Sequence, residues 1–139
     1  MNLRAFWRRD DGTAAAELAF LAPILVLLVG GIIQVGAIVQ AGLIASNAAR
    51  EGARYAAVSD PNAATDALSY LQNTVGNRAD ISLPALSGIT VTEQKPTNPV
   101  GSAVTVSVPL TVKISMPVMR NIFGSTYTII GGATMRVSQ

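Results

Sequence analysis

Between Glu17 and Arg50 the chain carries no charged residue, and from Leu18 to Val39 it is apolar except for Gln34. As a helix those 22 residues rise roughly 33 Å, enough to cross a hydrocarbon core of about 30 Å. A cleaved secretory signal is the competing explanation. Its apolar region runs about 7 to 15 residues and ends in a small-residue site, whereas here the pattern continues past Gly36 without polar punctuation. A retained span is preferred. Pro23 lies inside it and deletes the bond to the Ala19 carbonyl; a bend there and simple tolerance, common for proline in membrane helices, are both open.

The span divides the chain into a leader (1–12), a transmembrane and stem helix (13–58) and a head (59–139). The head has room for one modest core. Arg4, Arg8 and Arg9 on one side of the span nearly balance Arg50 and Arg54 on the other, so charge counting orients it weakly. The short leader has no fold of its own and stays cytoplasmic on the simplest topology, with the head extracytoplasmic.

Composition removes several function classes. The chain has neither cysteine nor histidine, which excludes a disulfide framework and thiolate chemistry and takes away the commonest general base and metal ligands. No cofactor and no metal are expected. The net charge of +2 comes from ten basic and eight acidic residues spread along the chain, with no stripe that could track a phosphate backbone, so nucleic acid is not the expected partner.

The most informative chemistry lies in RRDDGTAAAELAF: arginines, Gly12, the small residues Thr13 to Ala16, then Glu17 and Leu18 at the mouth of the apolar run. A carboxylate beside a bilayer calls for a partner, although Glu17 alone would pass for an ordinary interfacial residue. Cleavage after Gly12 would give Thr13 a new α-ammonium group one helical turn from Glu17, where the helix dipole also favours a carboxylate. The same pair could form between neighbouring subunits. This arrangement resembles the prepilin-peptidase site of Flp/Tad pilins, in which a membrane aspartic peptidase cuts after a glycine five residues before a glutamate. Gly12 and Glu17 match; Leu18 stands where that family usually shows Tyr or Phe. AAAELAFLAPILVLL is similar to the start of the TadE-like minor pilins, the pseudopilin family of Flp/Tad type IV pilus systems. NAAREGARYAAV looks like their signature beyond the span, carried by Arg50, Glu51, Gly52, Arg54 and Tyr55, and GGATMRV resembles their final strand.

A helix is expected from about Thr13 to Val58. Along it Ala37, Ala41, Ala45, Ala49, Ala53 and Ala57 recur every four residues, and small side chains at such spacing let helix backbones approach closely. Because a spacing of four exceeds 3.6, the ridge drifts by about 40° per step and suits crossing neighbours. Other pilin-like stems are the expected contact, against the alternative that an alanine-rich helix produces such runs by composition. Glu51 is placed to meet Arg54 at i+3, and Tyr55 suits either an interfacial or a head-packing position.

The head reads as α+β: a short helix on an antiparallel sheet of three or four strands. Asp60-Pro61 suggests a cap and first helical residue, with Ala64, Leu68, Leu71 and Val75 on one face before Gly76. From Ala103 to Ser115 apolar and polar residues alternate strictly, giving one buried and one wet face, while Pro109 argues for an edge position or a bulge. Ile89, Val91 and Glu93 mark a weaker strand. Ile129, Ala133, Met135 and Val137 suggest one or two more, interrupted at Gly131-Gly132. The segment MPVMRNIFG reads as a short helix or turn with Met119, Ile122 and Phe123 inward.

No enzyme is expected. The carboxylates of the head, Asp60, Asp66, Asp80 and Glu93, share no motif, and no phosphate-cradling loop or nucleophile elbow is present. The resemblance implies a minor pilin in the bacterial cytoplasmic membrane or an extracellular pilus. Its partners would be membrane lipid, a prepilin peptidase, other pilin subunits and the Tad assembly platform, and its biology surface adhesion and biofilm formation. Two alternatives remain open: a membrane-tethered binding module that enters no filament, and a secreted protein that loses its apolar segment.

Overall fold

The computed structural model describes residues 9–58, 62–76, 78–94 and 102–137. One helix dominates it: α1, Arg9–Ala57, is 49 residues long and runs unbroken through Pro23, a length of roughly 73 Å. The helix α2 (Ala63–Val75), the short strand β1 (Ile81–Ser82), a 3-10 turn (Leu86–Gly88), β2 (Thr90–Gln94), β3 (Ala103–Lys113), α3 (Pro117–Phe123) and β4 (Thr126–Arg136) follow. The α+β expectation holds, with a four-stranded antiparallel sheet. Asp60, Pro61 and the loop at 95–101 lie outside the described residues; α2 opens at Ala63, with Asn62 in the cap position.

Strand β3 is the axis of the sheet. β4 pairs with it along its whole length, from Ala103↔Arg136 to Lys113↔Thr126. On its other side β2 covers Ala103 to Ser107 and β1 covers Thr111 and Val112. The proline signal resolves in that gap. Pro109 sits in the central strand, not at an edge of the sheet, but β2 has ended and β1 has not begun at its level. Its ring instead meets the 3-10 turn, 3.7 Å from where a Cβ on Gly88 would stand. A residue without an N–H is tolerated where no ladder bond is asked of it.

The alternation in β3 sorts its side chains as expected. Val104, Val106, Val108, Leu110 and Val112 are buried, each worth roughly 1.5–3 kcal/mol relative to exposure. Thr105 and Thr111 look outward, their hydroxyls bonded to those of Thr134 (2.8 Å) and Thr128 (3.2 Å) on β4. β4 itself is one continuous strand through Gly131 and Gly132, not two.

The buried face of the sheet is covered by α1. Ala41, Ala45, Ala48, Ala49 and Ala53 are fully buried there with the β3 valines in one core, joined by Ala67, Leu71 and Val75 of α2. The short helix packs chiefly on α1 and only marginally on β2, so the sheet's main cover is the stem, not the short helix expected to lie on it. Adjacent pairs such as Ala48–Ala49 and Ala56–Ala57 are both buried. Neighbours on a helix point about 100° apart, so α1 is enclosed over a wide arc, by the sheet on one side and α2 on another. Alanine allows that enclosure, and Gly131 tightens it: a Cβ there would collide with the backbone of Ala45 and Ser46. A glycine inside a strand marks close approach of another backbone.

Candidate functional site

Gly12 and Thr13 lie in the opening turns of α1, with open space around Gly12. Glu17 is exposed, and among the described residues it has no ion-pair partner. The four-residue step from Thr13 places Glu17 above it on the same face, at neighbour distance for helical side chains. Leu18 begins a band exposed without interruption to Val29, including Phe20, Leu21, Ile24, Leu25 and Leu28. Among the described residues, this apolar segment lies on the one helix long and apolar enough to cross a membrane.

Above that band the surroundings of α1 change. The Met116 methyl fills the space where a side chain on Gly30 would stand, and the Met119 methyl lies 3.7 Å from the corresponding point on Gly31. Gln34, the polar exception in the span, is 7% exposed. Its Nε2 donates to the Lys113 carbonyl (3.3 Å) and its Oε1 accepts from the Ser115 N–H (3.1 Å). The side-chain amide thus serves the end of β3 as a peptide group would, and neither side is left unpaired in a dry setting.

The ridge expected to meet other stems faces inward. Ala41, Ala45, Ala49, Ala53 and Ala57 are buried under the chain's own sheet and α2, and Ala37 is half-buried beside Gln34. In this fold the partner of the ridge is internal: the sheet covers it, and Gly131 admits the backbone at Ala45 and Ser46. The signature beyond the span is divided. Gly52 is buried, while Arg50 and Arg54 are exposed. Arg54 reaches Glu51 at 2.6 Å, as the i+3 spacing predicts, and its guanidinium lies 4.9 Å from the Tyr55 ring centroid. Glu51 raises the Arg54 pKa by accepting its hydrogen bond and by its charge. Tyr55 is at the surface, with this cation over its ring.

The inward assignment fails for Ile122 and Phe123, while Met119 is half-buried beside Gly31. Ile122 and Phe123 on α3 are 69% and 58% exposed, and Val118 is 46% exposed. Met119, Phe123 and Tyr127 line an apolar groove against Gln34, Val35 and Ile38 of α1. Sequence reasoning noted Gln34 and Gly131 as exceptions only, and missed Met116 altogether. A lone amide in an apolar run and a glycine pair in a strand were the available signals.

Asp80 lies near this level, with Lys113, around Gly30, Ile33 and Ala37. Arg78 binds it with two hydrogen bonds, Nε to Oδ1 at 3.1 Å and Nη2 to Oδ2 at 2.6 Å. Hydrogen bonding from Arg78 holds the Asp80 carboxyl below its usual value, against a smaller opposing effect of burial.

The architecture is a long helix, apolar enough in its lower half to cross a membrane, whose upper half docks on an antiparallel sheet. The family described as TadE-like protein matches residues 12–54, so the apolar helix and its stem are similar to the family that the sequence resemblance named. The family suggests a minor pilin role associated with a Tad pilus, with membrane association and pilus partners. No curated protein and no solved structure is found to match.

Proposed function

We propose that the chain is a minor pilin or pseudopilin of a Tad-type pilus. A prepilin peptidase cuts it between Gly12 and Thr13, and it joins other pilin subunits at the assembly platform or in the filament, supporting adhesion and surface colonisation. The observation that supports this reading most strongly is the start of the matched segment at Gly12, the junction glycine. Cleavage there places an ammonium group at Thr13, one turn below the exposed Glu17. That carboxylate then pairs with its own terminus or with a neighbour's, and in a low-dielectric setting an unpaired charge of either sign is costly. The head serves as a structural and contact element, with Asp80 engaged by Arg78.

The decisive measurement is the intact mass and first residue of the protein isolated from its host's membranes. A chain beginning at Thr13, lost in Gly12→Leu, is expected. A chain that retains its leader while remaining a lone membrane-bound monomer would replace this reading with the tethered binding module.

A further inference from the structure

We infer that α3 is a second membrane contact: the lower lip of the head, presenting Val118, Ile122 and Phe123 to the acyl chains of the outer leaflet. The inference rests on the reading of α1 as a bilayer span. Its basis is the height of α3 along that helix, and Met116 and Met119 fix the height at Gly30 and Gly31. A hydrocarbon core of about 30 Å takes about 20 helical residues. Charges at Arg9, Asp10 and Asp11 keep the span from starting below Gly12, and a span that starts at Gly12 ends near Gly31, level with α3. A span that starts after Glu17 ends near Ala37, which places α3 about 10 Å inside the apolar layer. Asp80, paired with Arg78, and Lys113 lie beside Gly30, Ile33 and Ala37, and the cost of charges in hydrocarbon favours the lower start, which sets the lip at the outer boundary.

The chemistry of α3 suits that depth. Its exposed side chains continue the apolar surface of Ile32, Ile33 and Val35 on α1, and the groove between the two is lined by Val35, Ile38, Met119 and Phe123. Tyr127, 45% exposed, stands where aromatic residues favour the headgroup boundary. Arg120 is the single charge on α3, and a long cationic side chain can carry its head up to phosphate level while its stem stays in the apolar layer. Gln34 is paired with Lys113 and Ser115 just above, and the charged Asp80 and Lys113 beside Gly30, Ile33 and Ala37 mark headgroup level on another face of α1. A soluble head would have no use for a bulky apolar lip, whereas one docked on its own anchor gains area by burying it in lipid.

Trp7 is the chain's one tryptophan, so Trp7→Phe gives a silent background for depth measurement with the full chain in phosphatidylcholine/phosphatidylglycerol vesicles brominated on the acyl chains. In that background Leu25→Trp reports the span, Phe123→Trp and Ile122→Trp report the lip, and Tyr55→Trp reports the stem. The expected result is that the span and lip probes lose most of their emission while the stem probe keeps it. Quenching of Leu25→Trp with none at either lip position overturns the lipid contact and leaves the span standing. Absence of quenching at all four positions overturns the span and the lip together. Unquenched lip probes that crosslink to a second copy would assign the surface to a protein neighbour, and would also overturn the inference.

Discussion

The lower and upper halves of α1 are one continuous helix with opposite surroundings. From Leu18 to Val29 it carries mostly large apolar residues and is exposed throughout; from Ala41 to Ala57 its alanines are enclosed by the sheet and α2. The difference is one of side-chain volume. Leucine and isoleucine give a surface suited to lipid, while alanine lets a sheet and a second helix come close. Secondary structure alone does not divide the element: the same backbone serves two solvents.

The sharpest way to break the comparison is to enlarge the contact point. Gly131→Val forces a side chain into the Ala45 and Ser46 backbone and is expected to cost at least the upper end of the roughly 1–3 kcal/mol typical of overpacking. Ala45→Leu should cost a similar amount, whereas Leu25→Ala in the lower half should leave head stability within about 0.5 kcal/mol. Chemical denaturation in detergent micelles, followed by near-UV circular dichroism, distinguishes them, and equal sensitivity of the two halves would refute the division.

A smaller effect is expected at the junction of the halves. Gln34→Leu leaves the Ser115 N–H and Lys113 carbonyl without their partner, at about 1–3 kcal/mol for buried unmade bonds. Faster hydrogen exchange of the Ser115 amide, with the upper sheet still protected, is the signature. Unchanged exchange would show that Gln34 does not hold the lower end of the head.

The smallest is electrostatic. The Asp80 carboxyl has a folded pKa below its unfolded value of 3.8, so its contribution is present above that value and is lost as pH falls through the lower, folded one. With side chains about a third exposed (34% and 37%), the pair is worth about 0.5 kcal/mol or less. Asp80→Asn should therefore shift stability slightly at neutral pH and not at all once the carboxyl is protonated. A gap between wild type and variant that persists under strong acid would contradict this.

Much of this architecture was legible before any coordinates. The charge-free run gave the long helix and the alternation in β3 gave the central strand, because both periodicities are local. What escaped were relations across the chain. Gly131-Gly132 reads locally as an interruption, yet it is the place where β4 admits the backbone of α1. The alanine ridge announced close packing without naming its partner. Met119, Ile122 and Phe123, at spacings of three and four, look like a core-facing stripe; the pattern fixes which residues share a face, not whether that face meets protein or lipid. In the candidate site the spacing of Gly12 and Glu17 is a local signal, while the role of Gln34 depends on a partner 79 residues away.

That β4 is at once the full-length partner of β3 and the strand lying against Ala45 sets the order in which the head is completed. The valine face of β3 and the alanine face of the stem wait for the same late segment. Loop closure between Ala45 and Gly131 must precede the reward of either surface, which makes assembly of the head a high-contact-order event. During synthesis the stem emerges with its inner face bare, and a partly made head exposes apolar surface until residues 126–136 arrive. Truncation within β4 would thus leave the long helix without its cover and the head unsealed.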